Sequence, residues 1–153
     1  MQWKGLHADI AAARHEIGSW PGVRGIFSVG FCFGGRLSML LASDDELAMA
    51  GDIGYYGWPT GEARGGVPAP IDRVSANAAP ILAIFGGADQ GITADVVESY
   101  RSALAGAGAR HEVITYKGAP HSFFDRKAEE FADASTDSWK RVLDFVHANT
   151  PAP

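Results

Sequence analysis

Apolar positions along the chain follow helical spacing in some segments and form short continuous runs in others. A helical repeat near the N-terminus predicts an amphipathic helix over residues 6–17, with its apolar positions at Leu6, Ile10, Ala13 and Ile17. Short apolar segments predict buried strands at residues 25–29, 80–85 and 111–116. A further strand is expected within residues 48–56, where glycines interrupt the apolar pattern.

Helical segments are expected between and after these strands. Residues 36–42 (RLSMLLA) predict one helix, and a second begins at Thr93, which can cap it, and stops at Gly106 and Gly108. A C-terminal helix is marked by an apolar repeat at Trp139, Val142, Leu143 and Val146. Residues 57–79 predict a long loop rich in proline and glycine. This alternation predicts a single α/β domain over residues 1–153, with about four mostly parallel strands flanked by helices.

Composition narrows the classes of function. The chain has 153 residues, 46% of them apolar, and a net charge of −5. Since its basic residues are scattered, we expect no binding to nucleic acid. No apolar segment is long enough to cross a bilayer, and residues 1–10 do not resemble a signal peptide, so we expect no membrane partner and a cytoplasmic location. Cys32 is the single cysteine, which excludes an intramolecular disulfide and a four-cysteine zinc site.

The segment around Cys32 has the pattern of a nucleophile elbow. Gly30-Phe31-Cys32-Phe33-Gly34 lies between a predicted strand and a predicted helix, with cysteine where serine is commoner. Small residues on both sides permit the sharp turn, and the helix N-terminus favours a thiolate. The backbone N–H of Phe33 is then a candidate donor to an oxyanion. Taken without this context, a lone cysteine is more often a small buried apolar residue than a nucleophile.

Two further residues complete a candidate triad. Asp89 follows the strand at 80–85, and His121 follows the strand at 111–116. Functional residues of parallel sheets collect at the C-terminal ends of strands, and the order nucleophile, acid, base is that of the α/β-hydrolases. We therefore expect His121 to act as the base and Asp89 to orient it. Asp89 alone would be an ordinary turn residue.

Several segments together resemble the dienelactone hydrolase (carboxymethylenebutenolidase) family. The resemblance covers nearly the whole chain and rests on Gly30-Phe31-Cys32-Phe33-Gly34-Gly35, Tyr55-Tyr56-Gly57, Gly86-Gly87-Ala88-Asp89 and Gly118-Ala119-Pro120-His121-Ser122-Phe123. It implies an α/β-hydrolase fold and a Cys32–His121–Asp89 triad. It also implies hydrolysis of a small ester or lactone through an acyl-cysteine, without a metal or an organic cofactor.

The same resemblance implies a truncated α/β-hydrolase fold. Family members are longer at the N-terminus, where strands usually supply a glutamate near the thiol, a second oxyanion donor and an arginine that binds a substrate carboxylate. None of these maps onto this chain, whereas Arg126 is a rough candidate for an arginine that follows the catalytic histidine. The strand at 25–29 becomes a sheet edge, and such edges invite pairing. We therefore expect a homodimer through this edge.

Candidate substrate-binding residues surround the predicted triad. Phe31 flanks Cys32, and Tyr55, Tyr56 and Trp58 follow the second strand, where they line a pocket or pack under the long loop. Two alternatives to the esterase remain open. One is a catalytically weak or inactive half-domain that acts as an interaction module, and the other is a protein that transfers acyl groups to an acceptor other than water.

Overall fold

The structure, a computed structural model, describes residues 3–152. It contains four helices and four strands, which alternate after the first helix. The helices are α1 (Trp3–Gly18), α2 (Phe33–Leu41), α3 (Ala94–Ala107) and α4 (Ala132–Asn149). The strands are β1 (Phe27–Phe31), β2 (Gly51–Tyr55), β3 (Ile81–Gly86) and β4 (His111–Tyr116).

All four strands are parallel and lie in the order β1-β2-β3-β4. The α/β class and the strand count predicted from the sequence are confirmed. The first strand is shifted from residues 25–29 to 27–31, because its pairing with β2 runs from Phe27 opposite Gly51 to Phe31 opposite Tyr55. The chain therefore remains extended up to the residue before Cys32. As expected, this strand is an edge of the sheet.

Helices cover both faces of the sheet. A Cβ atom at Gly51 would meet Phe145 of α4. A Cβ atom at Gly54, an odd number of residues further along β2, would meet Met39 of α2. Because Gly51 and Gly54 point to opposite faces, α2 and α4 lie on opposite sides of β2. The central strand β3 is buried at all six positions, as a strand covered on both faces must be.

Two predicted apolar faces are less buried than their patterns suggest. Helix α1 forms, yet it contains no buried residue, and Ile17 is 39% exposed. Polar contacts hold it instead, since Arg14 donates a hydrogen bond to Leu47 O and His7 pairs with Asp44. In α4, Val142 is buried whereas Trp139 and Leu143 are about half exposed.

The ends of α3 agree with the sequence in part. At Thr93 the expected capping hydrogen bond is absent, but Gly108 ends α3 in the left-handed conformation.

An open apolar surface lies beside the edge strand. Val29 of β1 is 43% exposed, and with Phe31, Phe124 and Trp139 it lines a cavity of about 850 Å³. We refer to these four residues as the edge surface. It is open because β1 is an edge strand, so the described residues provide no further strand that could cover Val29.

The long loop after β2 is ordered by one buried arginine. Arg36 of α2 is fully buried, and its guanidinium donates hydrogen bonds to five backbone carbonyls within residues 58–68. A short 3-10 helix, Pro70–Arg73, follows in the same loop. Desolvation by burial lowers the pKa of Arg36, yet the carbonyl dipoles compensate for lost water. The loop is thereby attached to the helix that begins at the predicted nucleophile.

Candidate active site

Cys32 stands on a strained turn between β1 and α2. Its backbone has φ +52° and ψ −113°, in a region that non-glycine residues rarely adopt. The turn is held at both ends, since the N–H of Cys32 donates to Tyr55 O and its carbonyl accepts from the N–H of Arg36. This geometry lifts the side chain out of the end of the sheet, as the elbow motif predicts.

Close backbone contacts explain two of the elbow's glycines. A Cβ atom at Gly30 would lie 2.0 Å from Gly34 O, and one at Gly35 would lie 2.4 Å from Tyr55 O. At Gly34 itself a Cβ atom would meet nothing within 4 Å, so the expected need for a small residue there is not steric. The glycines before and after the turn therefore permit the helix to start directly against the strand ends.

The structure brings the three predicted triad residues into one hydrogen-bonded chain. The sulfur of Cys32 lies 3.2 Å from His121 Nε2, and His121 Nδ1 lies 2.6 Å from Asp89 Oδ2. The three residues follow β1, β3 and β4, so the C-terminal ends of three parallel strands bring them together. Cys32 and His121, which lie 89 positions apart in the sequence, are thus in direct contact.

Asp89 is held rigidly as an acceptor. Its side chain is only 3% exposed, and Oδ1 accepts hydrogen bonds from the N–H groups of Gly91 and Ile92. The other oxygen is left for His121, whose Nδ1 must carry the proton to donate to it. In that tautomer the lone pair of Nε2 faces the sulfur, which is the arrangement a general base needs.

Phe33 is the first residue of α2, and its backbone N–H follows the nucleophile directly. The first N–H groups of a helix have no acceptor within the helix, so this donor is free to bind a developing oxyanion. The positive end of the α2 dipole adds to that field. The side chain of Phe33 is partly exposed and packs near Gly65 of the long loop.

Aromatic residues form the wall behind the triad. Phe31 stacks on Tyr55 at 4.9 Å and on Phe124 at 5.6 Å between ring centroids. Tyr55 and Tyr56 are fully buried, and Tyr56 lies 5.1 Å from the His121 ring. Burial raises the pKa of Tyr55 to about 12 and that of Tyr56 further, so both phenols are neutral at physiological pH. Tyr56 therefore contributes an apolar surface and no charge beside the base.

A small cavity opens on the other side of the base. It has a volume of about 400 Å³, and its lining includes Trp58, Asp89, Gln90 and His121. The Trp58 ring lies 4.8 Å from the His121 ring. Arg36 donates a hydrogen bond to the carbonyl of Trp58 and so fixes the backbone of the residue whose ring lies against the base.

Arg126 lies in a different place from the triad cavity. Its side chain is exposed, and it lines a separate cavity of about 430 Å³ together with residues 125 and 127–130. Sequence reasoning assigned no role to Arg36 or to Ser122, whose hydroxyl lies 3.6 Å from the Cys32 sulfur. The position of Ser122 directly after the predicted base was the one signal available.

Residues 3–152 contain no cluster of three histidine, cysteine or acidic side chains that would suit a metal ion. The helices of that same range also include none with the length and apolar character of a membrane span.

The chain is similar to proteins described as lactone hydrolases. The sequence profile of the "Dienelactone hydrolase family" matches residues 3–150. A "Putative carboxymethylenebutenolidase" of Escherichia coli K12 is 32% identical over 145 residues, which cover 90% of this chain and 53% of that protein. A protein of the same description from Yersinia pestis is 36% identical over 118 residues, covering 76% of this chain and 44% of that protein.

Solved structures agree with this similarity. The crystal structure of a "Putative Dienelactone Hydrolase" from Klebsiella pneumoniae superposes with a TM-score of 0.77 at 30% identity, covering 90% of this chain and 58% of that one. Esterase 2 of Thermogutta terrifontis shares the fold, with a TM-score of 0.64 at 18% identity over 84% of this chain and 56% of that one. The chain spans about half the length of the curated relatives it matches.

Proposed function

This chain belongs to the dienelactone hydrolase family, and on that premise we propose that it hydrolyses small esters or lactones through an acyl-cysteine intermediate. One observation carries the proposal, namely the continuous hydrogen-bonded chain from Cys32 through His121 to Asp89, with distances of 3.2 and 2.6 Å. A nucleophile, a base and an orienting acid in mutual contact are the parts that acyl transfer requires.

Acylation begins with proton transfer from the Cys32 thiol to His121 Nε2. The thiolate attacks the carbonyl carbon, a C–S bond forms, and the carbonyl electron pair moves onto oxygen. The N–H of Phe33 donates to this oxyanion. When the oxyanion collapses, the bond to the alkoxy oxygen breaks, and that oxygen takes the proton from His121 Nε2. An alcohol leaves, or for a lactone the hydroxyl end stays attached through the acyl chain, and the enzyme holds a thioester.

Deacylation uses the same residues with water as the nucleophile. His121 Nε2 removes a proton from water, and the hydroxide attacks the thioester carbonyl. Collapse of the second oxyanion breaks the C–S bond, and the sulfur regains the proton from His121. The product is a carboxylic acid, or a hydroxy acid from a lactone. Throughout, Asp89 accepts the hydrogen bond from His121 Nδ1 and stabilises the imidazolium ion.

The residues around the triad would shape the substrate pocket. Phe31 gives one apolar wall and Trp58 gives another across His121, whereas the fully buried Tyr56 packs behind Phe31 and the His121 ring. Tyr55, which is also fully buried, supports the first wall by stacking on Phe31. Arg126 remains a candidate for contacting a polar end of a longer substrate. The reaction needs Cys32 in its reduced form, which suits a reducing compartment such as the cytoplasm.

Hydrolysis of p-nitrophenyl acetate tests the proposal. We expect wild-type protein to release a burst of p-nitrophenol followed by slower turnover, and Cys32→Ala to lose both phases. His121→Gln should lose activity as well. A matched control is His111→Gln, since His111 begins β4 at the opposite end of that strand. Equal rates in the wild type and in Cys32→Ala would contradict the proposal.

We also propose that two copies pair through the edge of β1. The edge surface gives this interface its apolar area, and the half-exposed Leu143 lies one helical turn after Trp139 on α4. Unpaired strand edges also favour association. Light scattering at micromolar concentration should show a dimer that Val29→Lys dissociates. Ile17→Lys, an equal change on an exposed apolar residue of α1, should have no effect. A monomeric wild type would contradict this interface.

A second candidate function is an interaction module without catalysis. The observation that favours it is the same open edge surface, which is available for a protein partner. A function as an interaction module does not explain why Cys32, His121 and Asp89 lie in mutual contact. The p-nitrophenyl acetate experiment separates the two functions, because an interaction module would show no burst that depends on Cys32.

A further inference from the structure

We propose that Ser122 is a catalytic residue that donates a second hydrogen bond to the Cys32 thiolate. Its Oγ lies 3.6 Å from the Cys32 sulfur, and His121 Nε2 approaches the same atom at 3.2 Å. In the described part of the chain, this sulfur is the hydrogen-bond partner found for the Ser122 hydroxyl. The inference rests on the proposed acyl-cysteine reaction, and it assigns that reaction a donor that the triad does not include.

The backbone at Ser122 is arranged to bring this hydroxyl to the sulfur. Ser122 has φ +58°, a left-handed conformation that residues with a side chain seldom adopt. Consecutive side chains of an extended chain point to opposite sides. Here the left-handed residue lets the side chains of His121 and Ser122 reach the same sulfur, while the next residue, Phe123, is fully buried in the core.

The surroundings of His121 keep the loop in that conformation. A Cβ atom at Gly86, at the end of β3, would lie 2.4 Å from Ala119 O and 2.6 Å from Pro120 O, so the backbone before His121 packs tightly on this strand. The N–H of Ala88 donates to Ala119 O as well. The backbone of the strained residue is therefore fixed between a strand end and a buried aromatic side chain.

A second donor matters at two points of the reaction. The sulfur carries negative charge after its proton has moved to His121, and again when the thioester C–S bond breaks. At both points the imidazolium N–H and the Ser122 O–H can each donate to it, and hydrogen bonds to a charged acceptor are stronger than those to a neutral one. Ser122 thus stabilises the thiolate without taking part in proton transfer.

The other titratable groups near the sulfur are few. His121 faces it directly, with Asp89 behind the ring. Tyr56 is close enough for its charge to interact with that of Cys32, but burial keeps its phenol neutral, and Asp125 lies near Tyr56. None of these groups is altered by replacing Ser122, so a change in the pH dependence of sulfur reactivity would come from the lost hydroxyl or from the altered loop.

Alkylation of Cys32 by iodoacetamide tests the proposal without any ester substrate. The chain has one cysteine, so intact mass reports the reaction at that atom. We expect Ser122→Gly and Ser122→Ala to move the midpoint of the pH profile upward. Both should slow alkylation below that midpoint by about 3- to 10-fold, the loss expected for one hydrogen bond of ordinary net strength, since the 3.6 Å contact is long. Ser99→Ala, which removes an exposed hydroxyl from α3, is the control and should match the wild type.

The two variants separate the hydroxyl from the backbone. Glycine adopts a left-handed conformation freely, whereas alanine keeps the strain, so a shift shared by both comes from the missing hydroxyl. A wild-type profile in both variants would overturn the proposal, as would a shift confined to Ser122→Ala. If the wild type fails to hydrolyse p-nitrophenyl acetate while both variants still shift the alkylation profile, the proposed ester hydrolysis is wrong and the role of Ser122 in thiolate stabilisation stands.

Discussion

Replacing Asp52 with asparagine should change how the stability of this protein depends on pH. Asp52 lies on β2 and is fully buried, with one carboxylate oxygen accepting a hydrogen bond from Ser28 Oγ on the edge strand. Its other oxygen finds no hydrogen-bond partner among the residues described. Desolvation by burial raises the pKa of this carboxyl from 3.8 to about 7, and the hydrogen bond from Ser28 opposes that rise only in part.

The raised pKa fixes the direction of the effect. The folded protein holds the carboxyl proton more tightly than the unfolded chain, so this group favours the fold fully below pH 4. That stabilising contribution is lost progressively as the pH rises from about 4 to about 7. Above pH 7 the effect of this group on stability no longer changes with pH. This rise in the pKa corresponds to about 4 kcal/mol in total, of which about 2–3 kcal/mol falls between pH 5 and pH 8. Asparagine stays neutral and lacks this loss.

Urea unfolding at pH 5 and pH 8, followed by tryptophan fluorescence, measures the difference. We expect the free energy of unfolding of the wild type to fall more between the two pH values than that of Asp52→Asn, by about 2–3 kcal/mol. Asp9→Asn, an exposed aspartate on α1, should behave as the wild type. If Asp52→Asn and the wild type lose stability in parallel, the burial argument for Asp52 is refuted.

Three further substitutions probe the elbow, the loop and the triad. Gly30→Ala should lower the melting temperature sharply and abolish activity, because its Cβ atom would lie 2.0 Å from Gly34 O; Gly34→Ala, where no atom lies within 4 Å, is its control for thermal stability. Arg36→Met should destabilise the fold by several kcal/mol, on the order of 3 or more, since five carbonyls lose their donor; urea unfolding checks this, and an unchanged midpoint would contradict it. Asp89→Asn should keep wild-type stability in the same assay while kcat for p-nitrophenyl acetate falls by about 10³- to 10⁴-fold; a loss below tenfold would argue against Asp89 as the orienting acid.

The positions of the triad residues could be predicted because they depend on local signals. The elbow glycines, the apolar strands and the order of Cys32, Asp89 and His121 are all visible in the sequence, and a parallel sheet brings the C-terminal ends of its strands to one edge. The parallel direction of the strands also followed from their alternation with helices. These features need no knowledge of which distant side chains meet.

The features that sequence reasoning missed depend on distant contacts or on unusual backbone angles. In the sequence, Arg36 occupies the position of an ordinary polar residue in an amphipathic helix. Its five acceptors belong to a loop more than twenty residues away. The position of Ser122 follows from a left-handed φ, which a serine does not signal. The apolar stripes of α1 and α4 predicted helices correctly, but how far each stripe is buried depends on what packs on it.

Intact-mass analysis of an acid-quenched reaction tests the central claim most directly. Wild-type protein mixed with p-nitrophenyl acetate and stopped within the burst should gain the mass of one acetyl group, and peptide mapping should place it on Cys32. In Asp89→Asn the acetyl group should appear more slowly, because the base is less well oriented. If no acetyl group is found on Cys32 during turnover, or if Cys32→Ala acquires the group at the same rate, this chain does not form an acyl-cysteine and the triad does not act as proposed.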